Sequence, residues 1–359
     1  MSLPLVRLSG TPYEQGARHG QQLRERVRQN VAVYFDRFAR EVQLAPADVL
    51  ARARRCRADV EARNEDYAAA MRGVADGAGI DLDRIVALNV RYELLYDRFG
   101  AIAMADGCTS FAVSPAAAAS GHLLLGQNWD WIPEVKGAVL HTIEPDGLET
   151  LSFTEAGIVG GKIGLNSAGL GLAINGLSTT ADDWERLGTP FHARCFEILR
   201  RRDLDAAVRV VTGSPRACST NFLIAQVPDR VANVEAAPDS VYVAGWVDRW
   251  LVHANHFVVP DILGVVETPS ERRPISCHRQ GRLQELLATG SPVTVEDVQR
   301  YLRDHEGFPD SICRHEDPAE PEEERYATVA SVVMDLHERV LSIADGPPCH
   351  GVYDSIRLE

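Results

Sequence analysis

The 359 residues, 45% hydrophobic and 25% charged, supply ample material for one large core or two intimately packed ones. A formal charge of −14 argues against nucleic acid or an anionic membrane as the main partner. No apolar run approaches the roughly 20 residues a membrane span needs, and the opening residues carry no signal-peptide pattern. Seven cysteines are scattered singly with no Cys-x-x-Cys pair, which suggests neither a disulfide framework nor a zinc ribbon. A reducing, cytoplasmic location is expected, with no metal and no cofactor.

Taken in order, Gly10-Thr11-Pro12-Tyr13-Glu14 reads as a helix start, with Thr11 as cap, Pro12 in the first turn and Glu14 completing a capping box. Gly16 and Gly20, four apart, leave a bare groove for another backbone. Leu23, Val27, Val31, Phe35, Phe38 and Val42 mark one apolar helix face. A second helix is expected from Ala47 to about Met71, broken by the Gly73–Gly79 region, and a third begins at the Asp81 cap. The block up to Gly107 is therefore expected to be helical throughout.

Past Cys108 the period changes to two. Alternating or apolar runs at 108–113, 122–131, 135–143, 148–153, 162–165 and 170–174 are separated by turn signals such as Glu144-Pro-Asp-Gly147 and Asn166-Ser-Ala-Gly169. Several runs are apolar on both faces, so the sheet they form needs cover on both sides. Helices are expected at 190–201, 203–211, 277–287 and 294–305. Further strands are expected at 220–225, 231–235, 241–244, 250–253, 327–334 and 340–343. The acidic stretch 316–324 reads as a solvated loop. Two antiparallel sheets face to face, with a helical layer outside each and an N-terminal helical segment, is the economical α+β packing.

The candidate chemistry centres on the seam Asp106-Gly107-Cys108-Thr109-Ser110. If the Gly107–Cys108 bond is cut, Cys108 carries both a thiol (about 8.5) and a free α-amine (about 7.7–8.0), so nucleophile and base share one residue. Gly107, lacking a side chain, leaves its carbonyl open to attack. Asp130, in Gly126-Gln-Asn-Trp-Asp-Trp131, sits at the end of the strand expected to pair with the Cys108 strand, where a carboxylate can orient an ammonium. Asn255, in His253-Ala-Asn-His256, offers an uncharged donor for an oxyanion. His-x-x-His is half a metal site without a third ligand, and a Cys108–His253–Asn255 triad is a rival arrangement. Arg314, in Ser311-Ile-Cys-Arg-His315, can stabilise a thiolate or hold a carboxylate.

These runs, together with Gly10-Thr-Pro-Tyr-Glu-Gln-Gly16, His19-Gly20, Leu88-Asn-Val-Arg-Tyr-Glu93, Thr154-Glu-Ala-Gly157 and Gly164-Leu-Asn-Ser-Ala-Gly169, closely resemble the acyl-coenzyme A:6-aminopenicillanic acid acyltransferase (isopenicillin N acyltransferase) family of self-processing, C45-type cysteine enzymes. The resemblance runs in the same order over nearly the whole chain. It departs in the alanine-rich loop 114–121 and in Gly160-Gly161. It implies a four-layer αββα N-terminal-nucleophile hydrolase sandwich. It also implies self-cleavage into a 1–107 α segment and a 108–359 β core that stay together as one globular unit. Cys108 is implied as nucleophile, Asp130 as site support, Asn255 as oxyanion donor and Arg314 as a neighbour of the nucleophile. The expected partner is a small-molecule N-acyl substrate (an N-acyl amino acid, short peptide or β-lactam side chain), with acyl-coenzyme A as a conceivable acyl donor. The rival readings are a non-catalytic or unprocessed member that binds acylated small molecules, and an uncleaved Cys–His–Asn hydrolase.

Overall fold

The computed structural model describes residues 3–96, 107–290, 292–322 and 325–358. Asp106 of the seam motif and the expected helical stretch before it, 97–106, lie outside these residues.

The first element is a strand, β1 (Leu5–Ser9), not a helix. It is followed by helices α1 (Pro12–Gln22), α2 (Arg24–Arg40), α3 (Pro46–Arg63), α4 (Glu65–Ala78), α5 (Leu82–Asn89) and α6 (Arg91–Tyr96). The Thr11–Glu14 capping box is formed, with Glu14 Oε2 accepting from Thr11 N at 2.8 Å. The expected second helix is two: Asn64 ends α3 and caps α4 by accepting from Tyr67 N at 2.9 Å. Helix α4 then runs straight through Gly73 and Gly77, where a break was expected. The glycines serve packing instead. A Cβ at Gly16 would lie 2.1 Å from the Ala70 carbonyl oxygen, and one at Gly73 would lie 2.1 Å from that of Tyr13, so α1 and α4 meet backbone to backbone. Helix propensity lost at Gly73 and Gly77 is offset by that contact.

After Cys108 come β2 (Thr109–Val113), β3 (Leu124–Trp131), β4 (Gly137–Ile143), β5 (Glu149–Glu155), β6 (Ile163–Asn166) and β7 (Leu170–Gly176). Helices α7 (Phe191–Leu199) and α8 (Leu204–Thr212) precede β8 (Thr220–Gln226), β9 (Arg230–Ala236), β10 (Val241–Ala244) and β11 (Trp250–His253). The short α9 (Pro260–Leu263), then α10 (Arg273–Gly290) and α11 (Val295–Tyr301), lead to β12 (Ala327–Asp335), β13 (Val340–Asp345) and β14 (Asp354–Arg357).

The strands form an eight-stranded sheet, β1-β4-β5-β6-β7-β8-β9-β10, and a six-stranded sheet, β11-β2-β3-β12-β13-β14. They face each other through β2 and β3 against β7; α7 and α8 cover the large sheet, and α10 and α11 the small one. This is the αββα sandwich, with one correction: β1 pairs with β4 in parallel, Leu5 opposite Val139, so the large sheet is not wholly antiparallel. A five-residue edge strand ahead of a capping box carries too little alternation to announce itself. The main core lies between the sheets and under the N-terminal helices, and a second apolar cluster lies between the small sheet and α10–α11.

The α1–α4 contact predicts opposite outcomes for two glycine-to-alanine changes. Gly16→Ala should lower stability by about 1–3 kcal/mol, since no backbone can yield 1 Å there without shifting the helix pair. Gly281→Ala, inside α10 with open space around it, should raise stability by about 0.5–1 kcal/mol. Urea unfolding followed by circular dichroism reads both.

Candidate active site

Cys108 immediately precedes β2, which lies between β11 and β3 in the small sheet. The register Thr109↔Asn128 carries Asp130, two residues further along β3, past the start of β2 and alongside Gly107–Cys108. Cys108 is buried, its Sγ 3.8 Å from the Asp130 carbonyl oxygen. On the other side of β3, Thr328 of β12 stands opposite Asp130, next to a register shift between Thr328 and Ala330. Such a bulge re-aims a side chain. Here the Thr328 hydroxyl donates to Asp130 Oδ1 at 2.7 Å and accepts from Arg314 N at 3.0 Å, while Thr328 N donates to the Arg314 carbonyl at 3.1 Å. Arg314 Nη2 also lies 2.8 Å from Asp310 Oδ1.

Gly107 closes the arrangement. A Cβ there would stand 2.7 Å from Asp130 Oδ2 and 2.8 Å from Arg314 Nη1. The backbone just before the nucleophile is thus clamped between a buried carboxylate and a buried guanidinium, and a larger residue there would have to displace one of these side chains. Cys108, Asp130 and Arg314 stand together around Gly107.

Asn255 is reached through a residue that reading missed. Arg279 projects from α10 and donates from Nη1 to Thr109 Oγ1 at 3.1 Å and from Nη2 to Asn255 Oδ1 at 3.2 Å; its Nη1 is 3.9 Å from Asp130 Oδ2. Its signal was its position: Ser276, Arg279, Leu283 and Leu287 share the buried face of α10, so an arginine stands in an otherwise inward stripe. Asn255 Nδ2 donates to the Gly176 carbonyl at 3.0 Å, which engages one of its two N–H groups. Asn175, at the end of β7, was also missed. Its Nδ2 donates across the sheet interface to the carbonyls of Cys108 (3.2 Å) and His253 (3.3 Å), and its Oδ1 accepts from Ser110 Oγ at 2.6 Å.

His253 does not face Cys108. Its Nδ1 lies 2.7 Å from the Ala254 carbonyl oxygen and its Nε2 2.8 Å from Glu235 Oε1, so both ring nitrogens are engaged elsewhere. The Cys108–His253–Asn255 triad is not assembled. Glu235 also accepts from Val258 N at 2.6 Å, tying down the loop that bears Asn255. His256 Nδ1 lies 2.8 Å from Ser276 Oγ, and burial pushes its pKa down to about 4. Beside His253 opens a cavity of about 600 Å³ whose lining includes Tyr242, Trp250, Val252, Val258 and Val259.

The runs around His19, Asn89–Arg91 and Glu155–Gly157 meet at the end of β5. Arg91 forms a buried ion pair with Glu155, which also accepts from Lys162 and from the Tyr34 hydroxyl. Lys162 Nζ sits 3.1 Å from the Trp129 ring centroid. Burial alone would raise Glu155, but Arg91 first and Lys162 next hold it well below the usual carboxylate range. Burial outweighs Glu155 at Lys162 and pushes that pKa down to about 8. Around this pair Asn89 donates to the Gly157 carbonyl and accepts from Val159 N, both at 2.9 Å, and Gly157 N donates to His19 Nε2 at 2.9 Å.

Removing Arg91 takes away the largest charge compensating the buried Glu155 and leaves Lys162 as its cationic partner. Arg91→Met should therefore cost about 3–5 kcal/mol near neutral pH in urea unfolding. In the wild type, Glu155 contributes stability above its unfolded pKa that is lost as pH falls toward its depressed native value. In Arg91→Met the carboxylate keeps Lys162 but loses its largest stabilising charge, so its native pKa rises and the gap between the two proteins should shrink on acidification. A gap that stays constant with pH would assign the loss to packing rather than charge.

A family model described as acyl-coenzyme A:6-aminopenicillanic acid acyl-transferase matches residues 117–348. The chain is 28% identical over 350 residues to the 40 kDa form of acyl-coenzyme A:6-aminopenicillanic-acid-acyltransferase of Emericella nidulans, covering 96% of this chain and 92% of that protein. It is 25% identical over 309 residues to an uncharacterized protein of Archaeoglobus fulgidus, covering 73% of this chain and 51% of that one. Among solved structures, penicillin V acylase from Agrobacterium tumefaciens superimposes with a TM-score of 0.47 at 12% identity, covering 70% of this chain and 86% of that one. An N-acylethanolamine-hydrolyzing acid amidase orthologue from Caenorhabditis elegans gives 0.44 at 14%, covering 64% and 93%. By the match over residues 117–348, the chain belongs to the acyl-coenzyme A:6-aminopenicillanic acid acyltransferase family.

Proposed function

We propose that the protein is a self-processing cysteine amidohydrolase or acyltransferase that cuts its own Gly107–Cys108 bond and then works on small N-acyl compounds. The observation that carries this reading is the clamping of Gly107 between Asp130 and Arg314, directly before a buried cysteine. In the first stage Cys108 Sγ attacks the Gly107 carbonyl carbon. The C–N bond breaks as the C–S bond forms, and the nitrogen takes up a proton to become the Cys108 α-amine. Water then hydrolyses the thioester, leaving a Gly107 carboxylate and a thiol. Asp130 is suited to hold the new ammonium, because an adjacent carboxylate favours the charged form.

In the second stage the α-amine takes the thiol proton and the sulfur attacks the acyl carbonyl of a substrate amide. The free N–H of the Asn255 amide and a backbone N–H bind the tetrahedral oxyanion. The amine leaves with the proton, and the acyl group on sulfur passes to water or to a second amine. The name of the Emericella relative supports acyl-coenzyme A as one acyl donor and a β-lactam nucleus as one acceptor. The two fragments are held by the β1–β4 pairing and by the Arg91–Glu155 ion pair, both of which span the cut.

Intact-mass measurement of purified wild-type protein should give fragments for residues 1–107 and 108–359. Cys108→Ala and Gly107→Val should give the whole chain with no activity on a panel of N-acyl amides. Activity in Cys108→Ala would overturn the assignment, as would a whole, active wild type. Asn255→Ala should process and then lose about 10²–10³-fold in kcat.

A further inference from the structure

We propose that the protein carries a structural zinc site built from His305, Cys313, His315 and Cys349, outside the centre described above. The four ligand atoms come from three separate stretches: the turn after α11, the strap leading to β12 and the loop after β13. All lie within 4.8 Å of one another. His315 Nε2 is 3.2 Å from His305 Nε2, 3.6 Å from Cys313 Sγ and 3.4 Å from Cys349 Sγ.

Hydrogen bonding does not account for this crowding. A ring nitrogen offers one N–H or one lone pair, so His315 Nε2 can serve one of its three polar neighbours and not the others. A shared cation satisfies all four at once. Tetrahedral zinc, with Zn–N of about 2.0–2.1 Å and Zn–S of about 2.3 Å, sets its ligands about 3.3 Å (N to N) and about 3.5 Å (N to S) apart. The observed separations fall close to these values. Two thiols and two imidazoles form a closed set of structural type, with no position left for a reactive water. Cys313 and Cys349 are both free thiols, and Cys313 is buried.

The site's consequence follows from what lies between its ligands. Arg314 sits between Cys313 and His315, and its backbone holds Thr328, which in turn holds Asp130. Zinc at this point pins the strap on both sides of Arg314 and joins it to the loop after β13. The metal is thus a positioning device for the guanidinium beside Gly107 and takes no part in chemistry.

Elemental analysis of the full chain, produced in zinc-replete medium and purified without chelator, should find about one zinc per molecule. Cys349→Ser and His305→Ala should lower this at least fivefold, while Cys277→Ser, outside the cluster, should leave it unchanged. Cobalt(II) added to metal-stripped wild type should give the intense visible bands of a tetrahedral site together with a thiolate-to-cobalt charge-transfer band. This reading needs no variant to fold. Wild type that neither contains zinc nor takes it up, a six-coordinate cobalt spectrum, or a Cys313–Cys349 disulfide in freshly purified protein would each overturn the proposal.

Discussion

A carboxylate buried among strands is tolerated only where donors and cations surround it. Asp130 meets that condition by drawing on every layer of the small-sheet side. The Thr328 hydroxyl comes from β12, Arg279 from the covering helix α10, and Arg314 from the strap that leads into β12. Each must be in register for the charge to be tolerated. The β2–β3–β12 ladder, its bulge beside Thr328 and the inward arginine of α10 are therefore parts of one requirement. Gly107 is placed by the same requirement, since its backbone occupies the gap that remains between Asp130 and Arg314.

A second buried charge does similar work on the other sheet. Glu155 at the end of β5 joins Arg91 from the N-terminal helices to Lys162 from the turn before β6. With the β1–β4 ladder, it makes the helical segment part of the sandwich rather than an appendage. A scission in the 107–108 link would leave these contacts untouched, because none of them depends on that link.

What the sequence revealed and what it hid divide along a physical line. Cys108, Asp130 and Arg314 were legible because each lies in a short run whose local chemistry is unusual: glycine before cysteine at a change of period, a carboxylate at a strand end, an arginine beside an acidic loop. Asn175 and Thr328 carry no such local mark, since their roles arise from pairing between distant segments, and Arg279 is marked only by its place on the inward face of α10. Gly73 and Gly77 misled because their helix-breaking tendency is a local property, whereas their use, admitting the backbone of α1, is tertiary. The cysteine and histidine cluster was hidden for the same reason. Positions 305, 313, 315 and 349 match no ligand spacing, and only the meeting of three loops beside β12 makes them neighbours.

In the proposed reading, the clamp on Gly107 lets one constellation serve two successive reactions. Before cleavage, Asp130 and Arg314 flank an uncharged peptide and constrain its position by shape. After the proposed cleavage the same point bears an ammonium on Cys108 and a carboxylate on Gly107. An acidic and a basic partner already stand there at contact distance, so neither new charge has to be buried alone. Asn175, holding the Cys108 carbonyl from the opposite sheet, keeps the residue in place through the change, because its bond is made on the side of Cys108 away from the broken link. A histidine-based triad would need a separate base brought to the thiol, and both nitrogens of His253 are committed to Glu235 and the Ala254 carbonyl. Under the proposed reading the base is instead the amine that cleavage creates, and the buried charges on either side of Gly107 are suited to receive it.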